Sequence, residues 1–403
     1  MRILIDGRSI KENPSGVGIW NLELVKYLLQ LTQDITIYLI LPHKCSFPFS
    51  TSSEFMPFLK TQRFHIIESP YKYQFIGGKR LLFDQWFLPR IIQKIQPDIY
   101  HETDSYGIPF LASSQTKYLL TVHDVIPITS FSETKNILLR NIYRYSVALS
   151  LKKAGRVVAI SDITKRDLTT YYHIPPTDIQ VVCDGKPTIT TYSQAEVQEK
   201  WNSLQIKYDL TINKYILYYG GFGLRRNISS VLNVFKQLLI SQVISEDHKL
   251  VLSGRLSNAK KEYVQNYEEL KKIVKKLNLE KNVVFLDYMD QLTKQTLIQH
   301  CLTSVFISFY EGFGLVPFET LLQGKYGVFS KVGIWYSYPE KSMFLVEEPS
   351  SEVELYTKLK NCITSDSSQI ETEYQKVMNF VNQFSWKKMA TEYITLYRTM
   401  LHI

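Results

Sequence analysis

The sequence has few cysteines, and none of them stands in a paired spacing. Cys45, Cys183, Cys301 and Cys362 are scattered along 403 residues without a C-x-x-C pattern. This usage indicates neither a disulfide framework nor a zinc site. It fits a reducing compartment, and we therefore expect a cytoplasmic protein.

Long apolar runs are also missing. No run of about 18 uncharged apolar residues occurs, which argues against a membrane-spanning helix. The N-terminal apolar stretch, residues 3–5, is too short for a signal peptide and lacks a cleavage site, so we expect no export. The net charge of +9 is compatible with nucleotide phosphates, nucleic acid or an anionic membrane, and charge alone does not choose among them.

What the sequence does contain is typical of a globular α/β protein. Hydrophobic residues make up 45% and charged residues 21%, which excludes a disordered or fibrous chain. A chain of this length exceeds what one core supports, so two domains are expected. Short β-rich apolar runs alternate with segments of helical period, a rhythm that predicts βαβ units and parallel sheets. The predicted strands include residues 2–6, 35–41, 99–100, 118–122, 156–160, 215–219, 249–252, 283–286 and 305–309.

The domain boundary is predicted from a change in composition. Residues 186–213 hold Pro187, four threonines and one weak amphipathic helix, after which residues 215–219 open a new strand-loop-helix unit. The prediction has four segments: an N-terminal Rossmann-like domain (1–190), a linker (191–213), a C-terminal Rossmann-like domain (214–384) and a final helix (385–403) that returns to the N-terminal domain.

The strongest motif runs from Tyr310 to Glu319, between a predicted strand and a helix. Pro317 suits the first helical turn, so Glu319 lies just inside the helix while Glu311 lies in the preceding loop. The two carboxylates are then expected to face one crevice. Glycines between them let the backbone approach a ligand, and N–H groups at the helix start favour a diphosphate. The alternative is an acidic loop followed by an ordinary first-turn glutamate.

A second motif follows the strand 215–219. Gly220 and Gly221 lead to Arg225 and Arg226 at a strand-to-helix turn. Two guanidinium groups there are placed to bind phosphate bidentately and to stabilise a leaving diphosphate. The alternative is a pair of solvated surface arginines.

Two weaker signals lie in the N-terminal half. Gly16 and Gly18 stand between the first strand and the first helix, but Asn21 replaces the third glycine of a dinucleotide fingerprint, and a plain turn is the alternative. His123 ends a strand, where a neutral imidazole can bond a sugar hydroxyl or stabilise developing charge. Its alternative is a strand-capping histidine bonded to Asp124.

The E-x7-E arrangement around E-G-F-G-L resembles family 4 of the glycosyltransferases, which are retaining enzymes of the GT-B fold. The resemblance spans nearly the whole chain, including residues 2–29, 121–126, 158–167 and 384–398. It implies two Rossmann-like domains, each a doubly wound parallel sheet, facing across a cleft. The first would bind mainly the acceptor and the second a nucleotide diphosphate sugar, with no obligatory metal or other cofactor.

The resemblance also implies roles for individual residues. Glu311 would hold hydroxyls of the donor sugar and Glu319 the ribose, while His123 lies beside the donor sugar. Glu311, His123, Arg225 and Arg226 form the predicted catalytic set. The remaining predicted donor-binding residues are Gly16, Gly18, Gly220, Gly221, Gly254, Arg255, Tyr288, Met289, Phe313, Gly314, Leu315 and Val316. Of these, Gly254, Arg255, Tyr288 and Met289 would border the nucleotide base.

The acidic pair Glu102 and Asp104 follows His101 at another strand end. It resembles the metal-binding D-x-D of the GT-A enzymes, but it stands alone and in the half of the chain opposite to the donor motifs. We interpret it as acceptor-side loop chemistry or solvated surface, and predict no metal site.

The sequence departs from the family pattern in two places. Gly221 stands where an arginine is usual, and Arg226 where a lysine is usual. Residues 330–340 form a longer, aromatic loop in place of a short loop followed by Gly-Asp-Ala, and this loop would flank the donor sugar. We expect it either to alter the choice of sugar or acceptor, or to leave a non-catalytic sugar-nucleotide or glycan-binding protein.

The predicted function is retaining transfer of a hexose, in polysaccharide or glycoconjugate biosynthesis. By family analogy the donor is GDP-mannose first and a UDP-hexose second, and the acceptor is a glycan or a lipid-linked glycan. The aromatic and basic segments 71–90 and 131–153 suit peripheral contact with the inner face of a membrane. Their alternative is a domain-packing helix with a solvated basic face. An epimerase or phosphorylase of similar architecture is a weaker rival, and we expect no nucleic-acid partner.

Overall fold

The computed structural model of the chain describes residues 1–11, 16–45, 47–72, 77–110, 115–129, 136–256 and 261–403. Ser15 of the glycine loop and parts of the segments 71–90 and 131–153 lie outside the described residues. The chain divides into two units: unit 1 is Met1–Gly185 with Phe384–Ile403, and unit 2 is Lys186–Gln383. Within the described ranges, no helix has the length and apolar character needed to cross a membrane.

Unit 1 is built on a parallel sheet. Its described strands are β1 (Arg2–Asp6), β2 (Thr36–Leu41), β3 (Phe64–Glu68), β4 (Ile99–Glu102), β5 (Lys117–Val122), β6 (Arg156–Ala159) and β7 (Ile179–Val181). They lie in the order β3-β2-β1-β4-β5-β6-β7, and every recorded pairing is parallel. The order reverses direction at β1 and β4, which is where open α/β sheets bind ligands.

Helices cover both faces of this sheet. They are α1 (Val17–Leu31), α2 (Met56–Leu59), α3 (Gly78–Leu82), α4 (Leu88–Ile95), α5 (Ile137–Lys153) and α6 (Asp162–Tyr172), with a π-helical turn at Phe83–Phe87. Alternate strand residues point to opposite faces, so Ile3 and Ile5 join one core cluster with α1 while Leu4 joins another with the π-helical turn and α4 to α6. Burial on both faces explains the continuous apolar runs in the sequence.

Unit 2 repeats the architecture. Its described strands are β8 (Tyr215–Gly220), β9 (Lys249–Gly254), β10 (Val283–Leu286), β11 (Thr303–Phe306), β12 (Gly327–Ser330) and β13 (Leu345–Val346), in the order β10-β9-β8-β11-β12-β13, all parallel. Its helices are α7 (Gln194–Tyr208), α8 (Ile228–Ile240), α9 (Lys261–Lys276), α10 (Gln291–His300), α11 (Leu315–Leu321), α12 (Glu352–Thr364) and α13 (Ser367–Val381).

The segments around the boundary attach to different units. The division falls after Gly185, and α7, which lies inside the predicted linker 191–213, packs on α10 with Trp201 stacked on His300 at 4.4 Å between ring centroids. The last helix, α14 (Trp386–Leu401), begins at a Ser385 cap and packs against α1. Residues 384–403 therefore belong to unit 1.

Candidate functional site

The residues of the two C-terminal motifs meet at the carboxyl edge of the unit 2 sheet. β8 and β11 are neighbours in that sheet, so the loops that follow them lie side by side. The backbone N–H of Phe309 donates to the carbonyl of Arg225 at 2.8 Å, which joins the two loops directly.

Glu311 is bound by both arginines of the second motif. Its Oε1 accepts from Nη1 of Arg225 at 2.6 Å and from Nη1 of Arg226. Burial acts to raise the pKa of the Glu311 carboxyl, but the charges of Arg226 and Arg225 outweigh burial and hold that pKa below its ordinary value. Glu311 is therefore a carboxylate at neutral pH, and two cations surround one anion.

The arginines are held by further contacts. Arg225 donates to the carbonyl of Tyr310 at 2.8 Å, and Arg226 donates to Ser308 Oγ at 3.2 Å while its guanidinium lies 4.9 Å from the centroid of the Phe306 ring. Their side chains are only 11% and 16% exposed. The alternative of solvated surface arginines is therefore wrong.

Glu319 pairs with a different cation. It is the fifth residue of α11, and its Oε1 accepts from Nζ of Lys294 in α10 at 2.6 Å. The hydroxyl of Tyr219, at the end of β8, donates to the carbonyl of Val316 at 2.9 Å and fixes the start of α11. The sequence did not point to Lys294, because this residue lies 25 positions before Glu319 and its own helix, α10, carries no motif.

The atypical aromatic loop braces the backbone beside Glu311. It forms a 3₁₀ turn, Gly333–Ser337, in which Ile334 N–H donates to the Phe313 carbonyl at 2.8 Å and Trp335 Nε1 donates to the Gly314 carbonyl at 3.1 Å. Gly333 has φ 62°, and a Cβ there would overlap the Phe313 carbonyl. Trp335 is 1% exposed. The loop thus supports the Glu311 loop from inside the core.

Removing the Trp335 indole N–H should loosen the Glu311 loop. We expect Trp335→Phe to lower the free energy of unfolding by about 1 kcal/mol, since a buried carbonyl loses its donor. Amide exchange of residues 310–316 should rise, as measured by mass spectrometry. Trp201→Phe, which alters a tryptophan buried elsewhere in unit 2, is the control and should leave that segment unchanged. Equal exchange in the two variants would contradict the bracing role.

The four residues predicted to border the nucleotide base differ in their exposure. Arg255 follows β9 and its guanidinium lies 4.3 Å from the centroid of the Tyr288 ring, which is exposed. Met289 instead packs against a core cluster of unit 2. Gly254 ends β9, and a Cβ there would contact the Phe222 ring at 2.8 Å. The exposed Arg255–Tyr288 pair is a flat surface suited to stacking.

In unit 1, the glycine loop and His123 lie at the carboxyl edge of the sheet. Gly16, with φ 52°, caps α1, whereas Gly18 lies inside the helix and is buried. His123 follows β5 and its ring meets the Trp20 ring edge-on at 5.1 Å between centroids. Burial lowers the pKa of His123 to about 4, so its imidazole is neutral at neutral pH.

The interpretation of Glu102 and Asp104 as solvated surface is wrong. Both are buried, and both accept from Arg80, at 3.1 Å and 2.7 Å. Arg80 also binds Asp84 at 2.8 Å, and Arg8 binds Asp84 at 2.7 Å from the other side. This internal ion cluster was missed because sequence alone gives no sign that Arg80 is buried.

Comparison with known proteins identifies the family. Residues 14–187 match the family model described as Glycosyltransferase Family 4, and residues 205–353 match the model described as Glycosyl transferases group 1. The chain belongs to family 4 of the glycosyltransferases. It is accordingly a glycosyltransferase, as the E-x7-E motif predicted.

Curated relatives are glycosyltransferases as well. O-antigen chain mannosyltransferase B of Escherichia coli is 25% identical over 99% of this chain and 100% of its own length. O-antigen chain mannosyltransferase RfbU of Salmonella typhimurium is 21% identical over 76% of each chain. The mouse α-1,3/1,6-mannosyltransferase ALG2 is 32% identical over 28% of this chain and 26% of its own.

Solved structures share the fold. Sucrose-phosphate synthase from Thermosynechococcus elongatus superposes with a TM-score of 0.73 at 16% identity, covering 100% of this chain and 99% of its own. Anabaena HepE in complex with UDP and glucose gives 0.69 at 16% identity, covering 99% and 100%. The predicted GT-B class, with two Rossmann-like parallel-sheet domains, is confirmed.

Proposed function

We propose that this glycosyltransferase moves mannose from GDP-mannose to a glycan or lipid-linked glycan acceptor with retention of anomeric configuration. The observation that carries the proposal is the cluster of Arg225 and Arg226 around Glu311 at the carboxyl edge of β8 and β11. The site assignments come from the motif resemblance, and the contacts in unit 2 support them.

The cluster supplies the charge that the reaction needs. Breaking the bond between the anomeric carbon and the diphosphate oxygen leaves negative charge on the diphosphate and positive charge on the sugar ring. The two guanidinium groups carry one more positive charge than the single carboxylate they bind neutralises. The cluster therefore has a net positive charge, which stabilises the negative charge of the leaving diphosphate. Glu311, kept ionised by the same arginines, accepts hydrogen bonds from sugar hydroxyls.

The new glycosidic bond forms on the face from which the diphosphate departs. The acceptor hydroxyl attacks the anomeric carbon, and its proton passes to the departing phosphate oxygen, so that no covalent sugar–enzyme intermediate is needed and atoms and charge balance. The motif resemblance assigns the neutral imidazole of His123 a hydrogen bond with a sugar hydroxyl. No step requires a metal ion or another cofactor.

The nucleoside is held by the other residues of unit 2. Glu319, oriented by Lys294, accepts from the ribose hydroxyls. Arg255 and Tyr288 stack on the base, and the backbone around Gly314 borders the sugar and phosphates. Mannose is preferred to glucose as the transferred sugar because relatives aligned over most or all of their length are named mannosyltransferases. A UDP-hexose is the second candidate donor.

Nucleotide binding provides the test. We expect GDP or GDP-mannose at a hundredfold excess over its dissociation constant to raise the free energy of unfolding by about 2.7 kcal/mol, seen as an increase in Tm. Glu319→Ala should abolish most of this gain, because a hydrogen bond to a charged group is worth about 1.5 to 3 kcal/mol. Glu268→Ala, on the exposed face of α9, is the matched control and should respond like the wild type.

Released nucleotide is assayed in parallel with the Tm measurement. Stabilisation by UDP compounds but not GDP compounds would replace the proposed donor by a UDP-hexose. Stabilisation without release of diphosphate, with glycan acceptors added, would favour a non-catalytic sugar-nucleotide-binding protein. If no nucleotide raises Tm, the proposed donor site is wrong.

A further inference from the structure

The outward face of α5 carries an apolar stripe, whereas a helix packed on a sheet normally presents mostly polar side chains to solvent. Ile137, Leu138 and Tyr145 are 72%, 66% and 68% exposed, and Leu149 is exposed as well. Leu138, Tyr145 and Leu149 follow at spacings of seven and four residues, so they form one stripe along the helix. The opposite face, with Val147, is buried in the core.

All the charged residues of α5 are basic. It contains Arg140, Arg144, Lys152 and Lys153 and no aspartate or glutamate. Arg144, Lys152 and Lys153 are exposed, and the two lysines fall in the last turn. Long basic side chains beside an apolar stripe can place their aliphatic stems along it while the charged ends reach outward.

A second exposed stripe lies on the same side of the unit 1 sheet as α5. Leu82 and Trp86 are exposed, and the Arg90 guanidinium lies 4.1 Å from the centroid of a Trp86 ring. Phe83, between them, is buried in the core cluster that also contains Val147 of α5. Because both segments bury their inner faces in one cluster, their outer faces point away from the same face of the sheet.

We propose that these two stripes, together called the α5 surface, dock the enzyme on an anionic lipid bilayer. Apolar and aromatic side chains enter the headgroup region, and the basic side chains bind lipid phosphates. The sequence left open a domain-packing helix with a solvated basic face. The structure shows that α5 packs with one face and still exposes an apolar stripe on the other. This inference goes beyond the proposed transfer reaction and does not depend on the donor.

A lipid surface suits the charge better than a second copy of the chain. If two copies of α5 packed together, the four positive charges of one helix would repel the four positive charges of the other. An anionic bilayer instead attracts each of them, and the attraction weakens with added salt. The occupant is therefore expected to be a lipid surface.

The test is co-sedimentation of the full chain with vesicles. We expect binding to phosphatidylcholine vesicles that contain phosphatidylglycerol, little binding to pure phosphatidylcholine, and release at high salt. The triple variant Arg144→Gln, Lys152→Gln, Lys153→Gln should partition about a hundredfold more weakly, given the contribution of each basic residue near an anionic surface. Leu138→Ser with Tyr145→Ser should partition at least about tenfold more weakly.

A matched control removes exposed apolar side chains from unit 2 instead. Ile206 and Ile240 are 85% and 71% exposed on α7 and α8. The double variant Ile206→Ser, Ile240→Ser should bind vesicles like the wild type. All substituted positions lie at the surface, so Tm should stay near that of the wild type and exclude misfolding.

Trp86 reports insertion directly. The other four tryptophans are each at most 4% exposed. We expect vesicles with bromine-labelled acyl chains to quench tryptophan fluorescence in the wild type but not in Trp86→Phe. Quenching that persists in Trp86→Phe would overturn the placement of the second stripe at the bilayer.

Three outcomes would overturn the proposal. The first is no binding to phosphatidylglycerol vesicles at low salt, and the second is equal binding by the wild type and both α5 variants. The third is concentration-dependent dimerisation that the Leu138→Ser, Tyr145→Ser variant abolishes, which would assign the surface to a second copy. Vesicle binding needs no nucleotide, so its failure leaves the donor-binding test unaffected.

Discussion

Replacing Arg226 with methionine should lower kcat for diphosphate release from the sugar nucleotide about 10²- to 10³-fold, the usual loss when one preorganised charge stabiliser is removed. The charge on the diphosphate develops as the glycosidic bond breaks, so KM should change less than kcat. Glu311 would also keep only one of its two arginines. Initial rates of nucleoside diphosphate release, measured over a range of donor concentrations, separate the two parameters.

Two companion variants make this test specific. Arg226→Lys keeps the cation that the family usually has at this position and should retain most of the rate. Lys272→Met removes a cation from the exposed face of α9, where Lys272 pairs with Glu269, and should not affect the rate. A rate for Arg226→Met within threefold of the wild type would show that Arg226 only anchors Glu311 and does not act on the leaving group.

The central strands were predictable because parallel strands buried on both faces form continuous apolar runs. β1 and β8, inside their sheets, lie where the runs placed them, and so does the edge strand β10, whose four residues are all apolar. The predicted strand 305–309 ends at Phe306 in the structure. The strands that the runs did not predict, among them β3 and β13, lie at or beside sheet edges. Edge strands are short or carry polar residues, as His65 and Glu68 do in β3, so their pattern is weak.

The site was predictable where its residues are close in sequence and not where they pair over a distance. Glycine spacing and the strand-to-helix turn revealed Glu311, Arg225 and Arg226. Lys294 and Trp335 carry no local pattern, and only tertiary packing brings them to Glu319 and to the Gly314 carbonyl. The expectation that the aromatic loop acts on specificity stays a prediction, and its buried tryptophan gives the loop a supporting role besides.

The ion cluster in unit 1 should produce the largest loss of stability. We expect Arg80→Met to lower the free energy of unfolding of unit 1 by about 3 to 5 kcal/mol, because it leaves buried carboxylates without their cation. Arg80 binds Asp84, Glu102 and Asp104 and lies 1% exposed. Hydrogen exchange of β4 gives the measurement, and protection there should fall by a factor between about 10² and about 4 × 10³, since about 1.4 kcal/mol corresponds to a factor of ten.

Exchange in β8 of unit 2 provides an internal reference, and Arg90→Met provides a matched control. Arg90 follows in α4, is exposed and contacts Trp86, so its loss should cost less than about 0.5 kcal/mol. Arg80→Lys should recover only part of the stability, because an ammonium cannot reproduce the planar fork of the guanidinium. A protection loss for Arg80→Met no larger than that for Arg90→Met would contradict the assigned role of the cluster.

The pH dependence of the Arg80→Met variant distinguishes lost charge from lost packing. Burial already raises the pKa of Glu102 well above its ordinary value, with Asp6 adding to the rise and Arg80 opposing it. Without Arg80, the folded-state pKa values of the neighbouring carboxyls rise further. A carboxyl whose pKa is raised on folding favours the folded state at low pH and loses that contribution as pH rises through the folded-state pKa. The deficit of Arg80→Met relative to the wild type should therefore shrink as the pH falls from neutral towards the ordinary pKa of a carboxyl, about 4, whereas a packing defect would leave it unchanged.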